Sequence, residues 1–200
     1  MRTETTRTDI RDAILDAAER LLGLYGYSKT TVDDIAREAG IGKGTIYLHF
    51  RSKEEIAVSW IDRLNHLVRS TLSEIALREA PPADKLREML IARVMARFDS
   101  ARNHEKSLDD LLAALRPIIH ASRKRWHEAE AEIFAQVIDE GIGLEVFRNE
   151  DSADTAHMLV LATNSLLPYN LCPKQLGERE EIAGIADRLS RLLVSGVLVR

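Results

Sequence analysis

Cysteine is nearly absent: Cys172 is alone among the 200 residues, which excludes an internal disulfide and a cysteine-based zinc site within one chain. No apolar run is long enough to span a bilayer, and the first ten residues are polar, so neither a membrane helix nor a secretory leader is expected and the chain reads as cytoplasmic. Aromatics make up only 5% of the residues, and no strand pattern, repeat period or low-complexity segment is present. Charge is also unremarkable in sum, a formal −4, so the overall balance carries no nucleic-acid signal. The signatures of catalysis are missing too. His104, His120 and His127 lie on different faces and no His-Glu-x-x-His run exists; no glycine-rich phosphate loop and no Gly-x-Ser-x-Gly elbow appears. No enzyme, cofactor or metal is expected. What is plentiful is Ala, Leu, Glu and Arg, the composition of an all-α protein.

The stretch from Thr30 to Lys53 carries the densest information. Val32, Ile35, Ala36 and Ala39 recur at helical spacing, Thr30 or Thr31 is placed to cap, and Asp33 and Asp34 suit a helix N-terminus. Gly40 stops this helix. In the next, Ile46 and Phe50 point inward, which leaves Lys43, Gly44, Thr45, Tyr47, Leu48 and His49 on the other side. Two short helices around a tight turn, the second with a polar outer face, have the layout of a helix-turn-helix offered to the major groove. Locally the charge agrees: Ile41 to Lys53 contains Lys43, Arg51 and Lys53 and no acid.

Chemistry assigns a role to each outer residue. The first amides and hydroxyl at Thr31 suit a phosphate, and Gly42 and Gly44 let the backbone approach the sugar–phosphate rail. Lys43, Thr45 and Leu48 are the candidates for reading bases, through a guanine edge or a thymine methyl. Upstream, residues 1–8 form a polar arm with Arg2 and Arg7, and Asp9 to Tyr25 is an amphipathic helix with Ile10, Ile14, Ala17, Leu21 and Leu24 on one side and Gly26 at its end.

The run Thr31 to Lys53 followed by Glu54-Glu55-Ile56 resembles the DNA-binding domain of TetR-type (TetR/AcrR) transcriptional regulators. Asp34-Ile35-Ala36, Ala39-Gly40-Ile41, Lys43-Gly44-Thr45-Ile46-Tyr47, His49-Phe50 and Lys53-Glu54-Glu55 carry the likeness. It implies that Tyr47 and His49 bond phosphates and that Lys53 is a further phosphate clamp. It also implies a homodimer, a small-molecule effector held among the later helices, and a connecting helix that transmits ligand state.

That connecting helix is capped by Ser52 with Glu55 and runs to about Ala80 before Pro81-Pro82, with Ile56, Trp60, Leu64, Leu67, Thr71 and Ile75 as its stripe. Further helices are expected over 83–101, 103–116, 118–140, 152–167 and 178–199, with Pro117 separating two of them and Gly141 closing another. The expected organisation is a DNA-binding domain (1–52), a connecting helix (53–80) and a ligand-binding and dimerisation domain (81–200). By the resemblance, Met89, Arg93, Arg116, His120, Trp126, Asn164 and Tyr169 are candidate effector contacts. Ile182, Ile185, Leu189, Leu192 and Gly196 step by three and four, as an interhelical seam does, and Ala156, Leu159, Thr163 and Leu166 do likewise. The same spacing also fits burial within one chain. Taken together these features lead to a ligand-responsive repressor released from a near-palindromic operator; an adaptor or activator of the same fold without an effector is the alternative.

Overall fold

Two left-handed glycines punctuate the first helices. Gly26 (φ 82°) ends α1 (Arg7–Tyr25) and Gly40 (φ 69°) ends α2 (Val32–Glu38). At Gly40 the chain reverses with the Gly40 amide on Arg37 O and the Ile41 amide on Ala36 O. Then follow α3 (Lys43–His49), α4 (Lys53–Ala76), α5 (Pro82–Asn103), α6 (Leu108–Gly143), α7 (Ser152–Ala162), a 3-10 turn (Thr163–Leu166) and α8 (Arg179–Val197). The computed structural model describes residues 7–103, 108–167 and 177–199. His104, Tyr169, Cys172 and the arm before Arg7 lie outside them. Among the described residues the only extended pairing is one antiparallel bridge between Phe147 and Leu198, and the fold is all-α.

Two compact units result, one built from the chain up to Leu64 with 103–120, the other from Asn65–Arg102 with the chain from Ala121 onward. The core of the first gathers Ile14, Leu22, Ile35, Ile46, Phe50 and Ile56, all at most 1% exposed, together with Leu115 from α6. Each such side chain contributes about 1.5–3 kcal/mol through burial. The α1 stripe is as expected through Leu21, whereas Leu24 is exposed.

The second unit packs Leu72, Leu90, Phe134, Val137, Phe147 and Val160 at its centre. Here α4 buries Ile75 as expected, but Val68 and Leu72 rather than the expected Leu67 and Thr71, and Leu67 is exposed. The helix crosses from one unit to the other at Leu64/Asn65, and each unit selects its own inward face.

No break occurs at Pro117, where a helix boundary is expected from the sequence; α6 runs through it. Pro117, Ala113 and Ala114 are exposed, so a carbonyl that loses its amide partner has water in reach. Nor does Gly141 end the helix, which continues to Gly143. A methyl at Gly141 would stand 2.0 Å from the Phe147 ring. The residue serves the close approach of that ring, while Glu145 takes the left-handed turn at φ 58°.

Candidate nucleic-acid interface

Local chemistry fixes α2 before any partner is considered. Thr31 caps it: the Asp34 amide donates to Thr31 Oγ1 (3.2 Å), and the Thr31 amide and hydroxyl both donate to Asp34 Oδ2 (3.1 and 2.6 Å). The hydroxyl bond above all holds the Asp34 carboxyl below its ordinary range. This alters the expectation for Thr31. Its hydroxyl proton is committed to a carboxylate, and Asp33 and Asp34 already answer the positive helix end, so Thr31 acts as a cap rather than as an open phosphate cradle.

The outer side of α3 is as expected from the sequence. Gly42, Lys43, Gly44, Tyr47 (51% exposed) and Leu48 (74%) face outward, Thr45 and His49 are half-buried, and Ile46 is fully buried behind them. Gly42 supplies the N-cap position with extended backbone and no side-chain bond. A methyl group at Gly44 would meet nothing within 4 Å, so the fold itself makes no demand for glycine there. Lys43 Nζ rests on Asp33 Oδ2 at 2.8 Å, and that bond raises its pKa. Both members are about half exposed, so the pair contributes little and exchanges readily for another anion.

Lys53 is the exception. Its ammonium donates inward to Tyr27 O (2.7 Å) and Thr30 O (2.9 Å) and lies 4.2 Å from the Tyr27 ring centre. Its observed bonds tie the loop before α2 to the start of α4. Asp110, in the first turn of α6, holds the same loop through the Ser28 amide (2.8 Å) and hydroxyl (2.5 Å). Sequence reasoning missed Asp110, and it also missed Arg11, which donates to His49 O (3.2 Å) and Ser59 Oγ (3.1 Å) and stacks 4.1 Å over Phe50. Arg11 thereby satisfies the end of α3 from below, leaving the outer face clear. Nothing in the spacing of one helix marks such long-range contacts.

Among the described effector candidates, Arg93 and Asn164 are brought together. Arg93 and Asn164 are bonded to each other inside the second unit (Nη2 to Oδ1, 2.7 Å), where Arg93 also donates to Glu130 and Thr163 at 2.5 Å. Arg97 shares Glu130 and reaches Asn65 at 2.7 Å. Burial opposes the Glu130 charge, but Arg97 and Arg93 outweigh it and keep the carboxyl ionised below its ordinary pKa. Met89 is buried in the apolar core and Trp126 is nearly so, whereas Arg116 and His120 are exposed on the part of α6 that belongs to the first unit.

The seam residues divide as well. Ala156, Leu159, Thr163 and Ile182 are at most 5% exposed inside the protomer and out of a partner's reach; Thr163 is bonded to Arg93. Leu166, Ile185 and Leu189 are half-buried, and Leu192 and Gly196 are exposed. On α7 the outward apolar residues are Met158 and Leu161 instead. Inner and outer faces obey the same three-and-four spacing, and only the packing tells them apart.

Comparison with known proteins agrees with this geometry. Residues 14–59 match the family described as bacterial regulatory proteins, tetR family. The chain is 29% identical over 137 residues to the HTH-type transcriptional regulator LmrA of Bacillus subtilis, covering 64% of this chain and 72% of that protein. It is 36% identical over 94 residues to the HTH-type transcriptional regulator TtgR of Pseudomonas putida, covering 45% of this chain and 43%, less than half, of TtgR. A solved SmeT–triclosan complex shares the fold across 95% of this chain and 92% of its own, at a TM-score of 0.69 and 18% identity. With its capped α2, its exposed α3 and its matched residues 14–59, the chain carries an N-terminal helix-turn-helix domain of the tetR family of bacterial regulatory proteins.

Proposed function

We propose that the chain is a cytoplasmic repressor that binds a near-palindromic operator as a homodimer and releases it when a small molecule occupies the second unit. The observation that carries the DNA reading is the α3 face: Tyr47 and Leu48 stand exposed above a buried Ile46, beside a glycine that the fold does not require. Gly44 sits in the first turn of α3 with open space around its Cα, which leaves room for a partner outside the chain to approach the backbone closely. Lys43, Thr45, Tyr47, Leu48 and His49 form the contact set, with Thr31, Arg11 and Lys53 as positioning residues beneath it.

Two recognition helices reach successive major grooves only when about 34 Å apart, which supports a dimer as the acting species. An effector that prefers a conformation with another spacing would draw the population away from DNA. SmeT, which shares the fold, takes triclosan; for this chain the effector is a proposal, supported by polar side chains such as Arg93 and Asn164 deep in the second unit.

The test is binding to the DNA upstream of the chain's own gene and to a selected-site library, at two salt concentrations. Saturable, selective binding that Tyr47→Ala abolishes without lowering the melting temperature is expected. Absence of selective binding from both DNA sources overturns the reading. Selective binding that no compound raising the melting temperature ever relieves removes the effector and leaves the DNA role.

A further inference from the structure

We propose that two copies of the chain clasp each other through opposite charges, with an acidic groove on each second unit receiving the arginine-bearing face of the partner's α8. This deepens the homodimer reading above and rests on it.

The groove runs between α6 and α7 and measures about 480 Å³. Three alanines, Ala131, Ala135 and Ala153, line it together with Gln136 and His157. Along one rim Glu128, Glu132 and Asp139 follow steps of four and seven, which places all three carboxylates on one face of α6. Glu128 has a distant Lys124 at 3.6 Å; among the described residues no ion pair involves Glu132 or Asp139.

The other end of the same surface has the opposite sign. α7 and α8 direct their inner faces, with Leu159, Val160 and Val194, into one core, so their outer faces are left uncovered. On α7 that face offers Met158 and Leu161, and on α8 it offers Leu192, 69% exposed, flanked by the exposed Arg188 and by Arg191, which rests at 2.5 Å on an Asp187 carboxylate that Arg87 also holds, so the arginines outnumber the acid there. Crossing from α6 over α7 to α8, the surface therefore changes from acidic through apolar to basic. A surface of this kind is self-complementary under a two-fold rotation: an axis through the apolar centre lays each acidic rim on the partner's arginines, and does so twice. Apolar contacts supply the affinity, while the charges fix the register and reject a parallel or slipped arrangement.

The experiment uses two full-length charge-reversed variants. One carries Glu132→Lys with Asp139→Lys, the other Arg188→Glu with Arg191→Glu. Dimer dissociation is followed by sedimentation and native mass spectrometry at low and high salt. Each variant alone meets like charge on like at both clasps, and its dimer is expected to weaken at least about tenfold at low salt and less at high salt. An equimolar mixture restores both attractions in the heterodimer, which should exceed random pairing, and this rescue also shows that both variants are folded. Variants that dimerise as tightly as the wild type, or that mix at random, overturn the clasp while leaving the homodimer standing. A wild type that stays monomeric at every concentration overturns both. Stabilisation by a small organic cation lost only in the acid-reversed variant, with unchanged dimer constants, assigns the groove to a ligand and likewise overturns the clasp.

Discussion

Replacing Lys53 by methionine keeps the apolar stem against Tyr27 and removes only the charge, which separates a brace from a phosphate contact. The ammonium makes two bonds to loop carbonyls, at 2.7 and 2.9 Å, and sits over an aromatic ring. A hydrogen bond to a charged group contributes about 1.5–3 kcal/mol when well buried. Lys53 is half-buried, so solvent discounts the pair to about 2 kcal/mol in all. For a chain of this size that corresponds to a fall in melting temperature of about 4–8 °C. Hydrogen exchange should quicken at the α2 amides, whose cap Thr31 follows the braced Thr30, and operator affinity should drop as a consequence. Differential scanning calorimetry and exchange mass spectrometry read the first two, and fluorescence anisotropy with operator DNA the third. An unchanged melting temperature with lost DNA binding would falsify the brace and return Lys53 to the phosphate.

The second unit gives three further tests. Glu130→Gln leaves Arg93 and Arg97 buried without their shared countercharge and should cost about 3–5 kcal/mol by denaturant titration; a change under about 1 kcal/mol refutes the network's importance. Because the folded pKa of Glu130 lies below its ordinary value, its contribution is present at neutral pH and is lost as pH falls through that lowered value, so the variant should also lose this part of the acid sensitivity. His127 behaves as a buried neutral imidazole: burial first, and then Arg93, lower its pKa from 6.5 to about 4. The unfolded chain takes up the proton first, so stability should decline between those pH values by up to about 3 kcal/mol, and His127→Gln should flatten that part of the profile. Gly141→Ala drives a methyl into the Phe147 ring, 2.0 Å from its nearest carbon, and should destabilise by about 1–3 kcal/mol or more; a melting temperature equal to that of the wild type shows that the ring moves freely.

What the sequence reveals of this protein follows from how local each cause is. The first helices were readable because capping, left-handed glycine and three-to-four spacing all act within a few residues: Thr31, Gly26 and Gly40 stand where those rules place them. The outer face of α3 was legible for the same reason, since a buried Ile46 and Phe50 determine what remains outside. Lys53, Arg11 and Asp110 were not, because their partners lie tens of residues away and a charged side chain looks alike whether it faces solvent or a loop carbonyl. The α7 seam failed differently. Its periodicity was real, yet Ala156, Leu159 and Thr163 belong to the face that the protomer itself buries. Pro117 misled because the usual penalty for proline inside a helix is eased where the surrounding turn is open to water.

The share that α6 takes in the first unit bears on how such regulators can be recombined. Leu115 is fully buried in the core that also holds Ile14 and Phe50, and Asp110 secures Ser28. A reading head cut out as the N-terminal helices alone would carry a hole where Leu115 belongs and a loop without one of its two ties. Chimaeras that exchange DNA specificity should therefore transplant 108–120 along with the first 64 residues, or adapt the recipient's α6 to the new core. The boundary at which this protein can trade parts lies in space rather than at any single point along the chain.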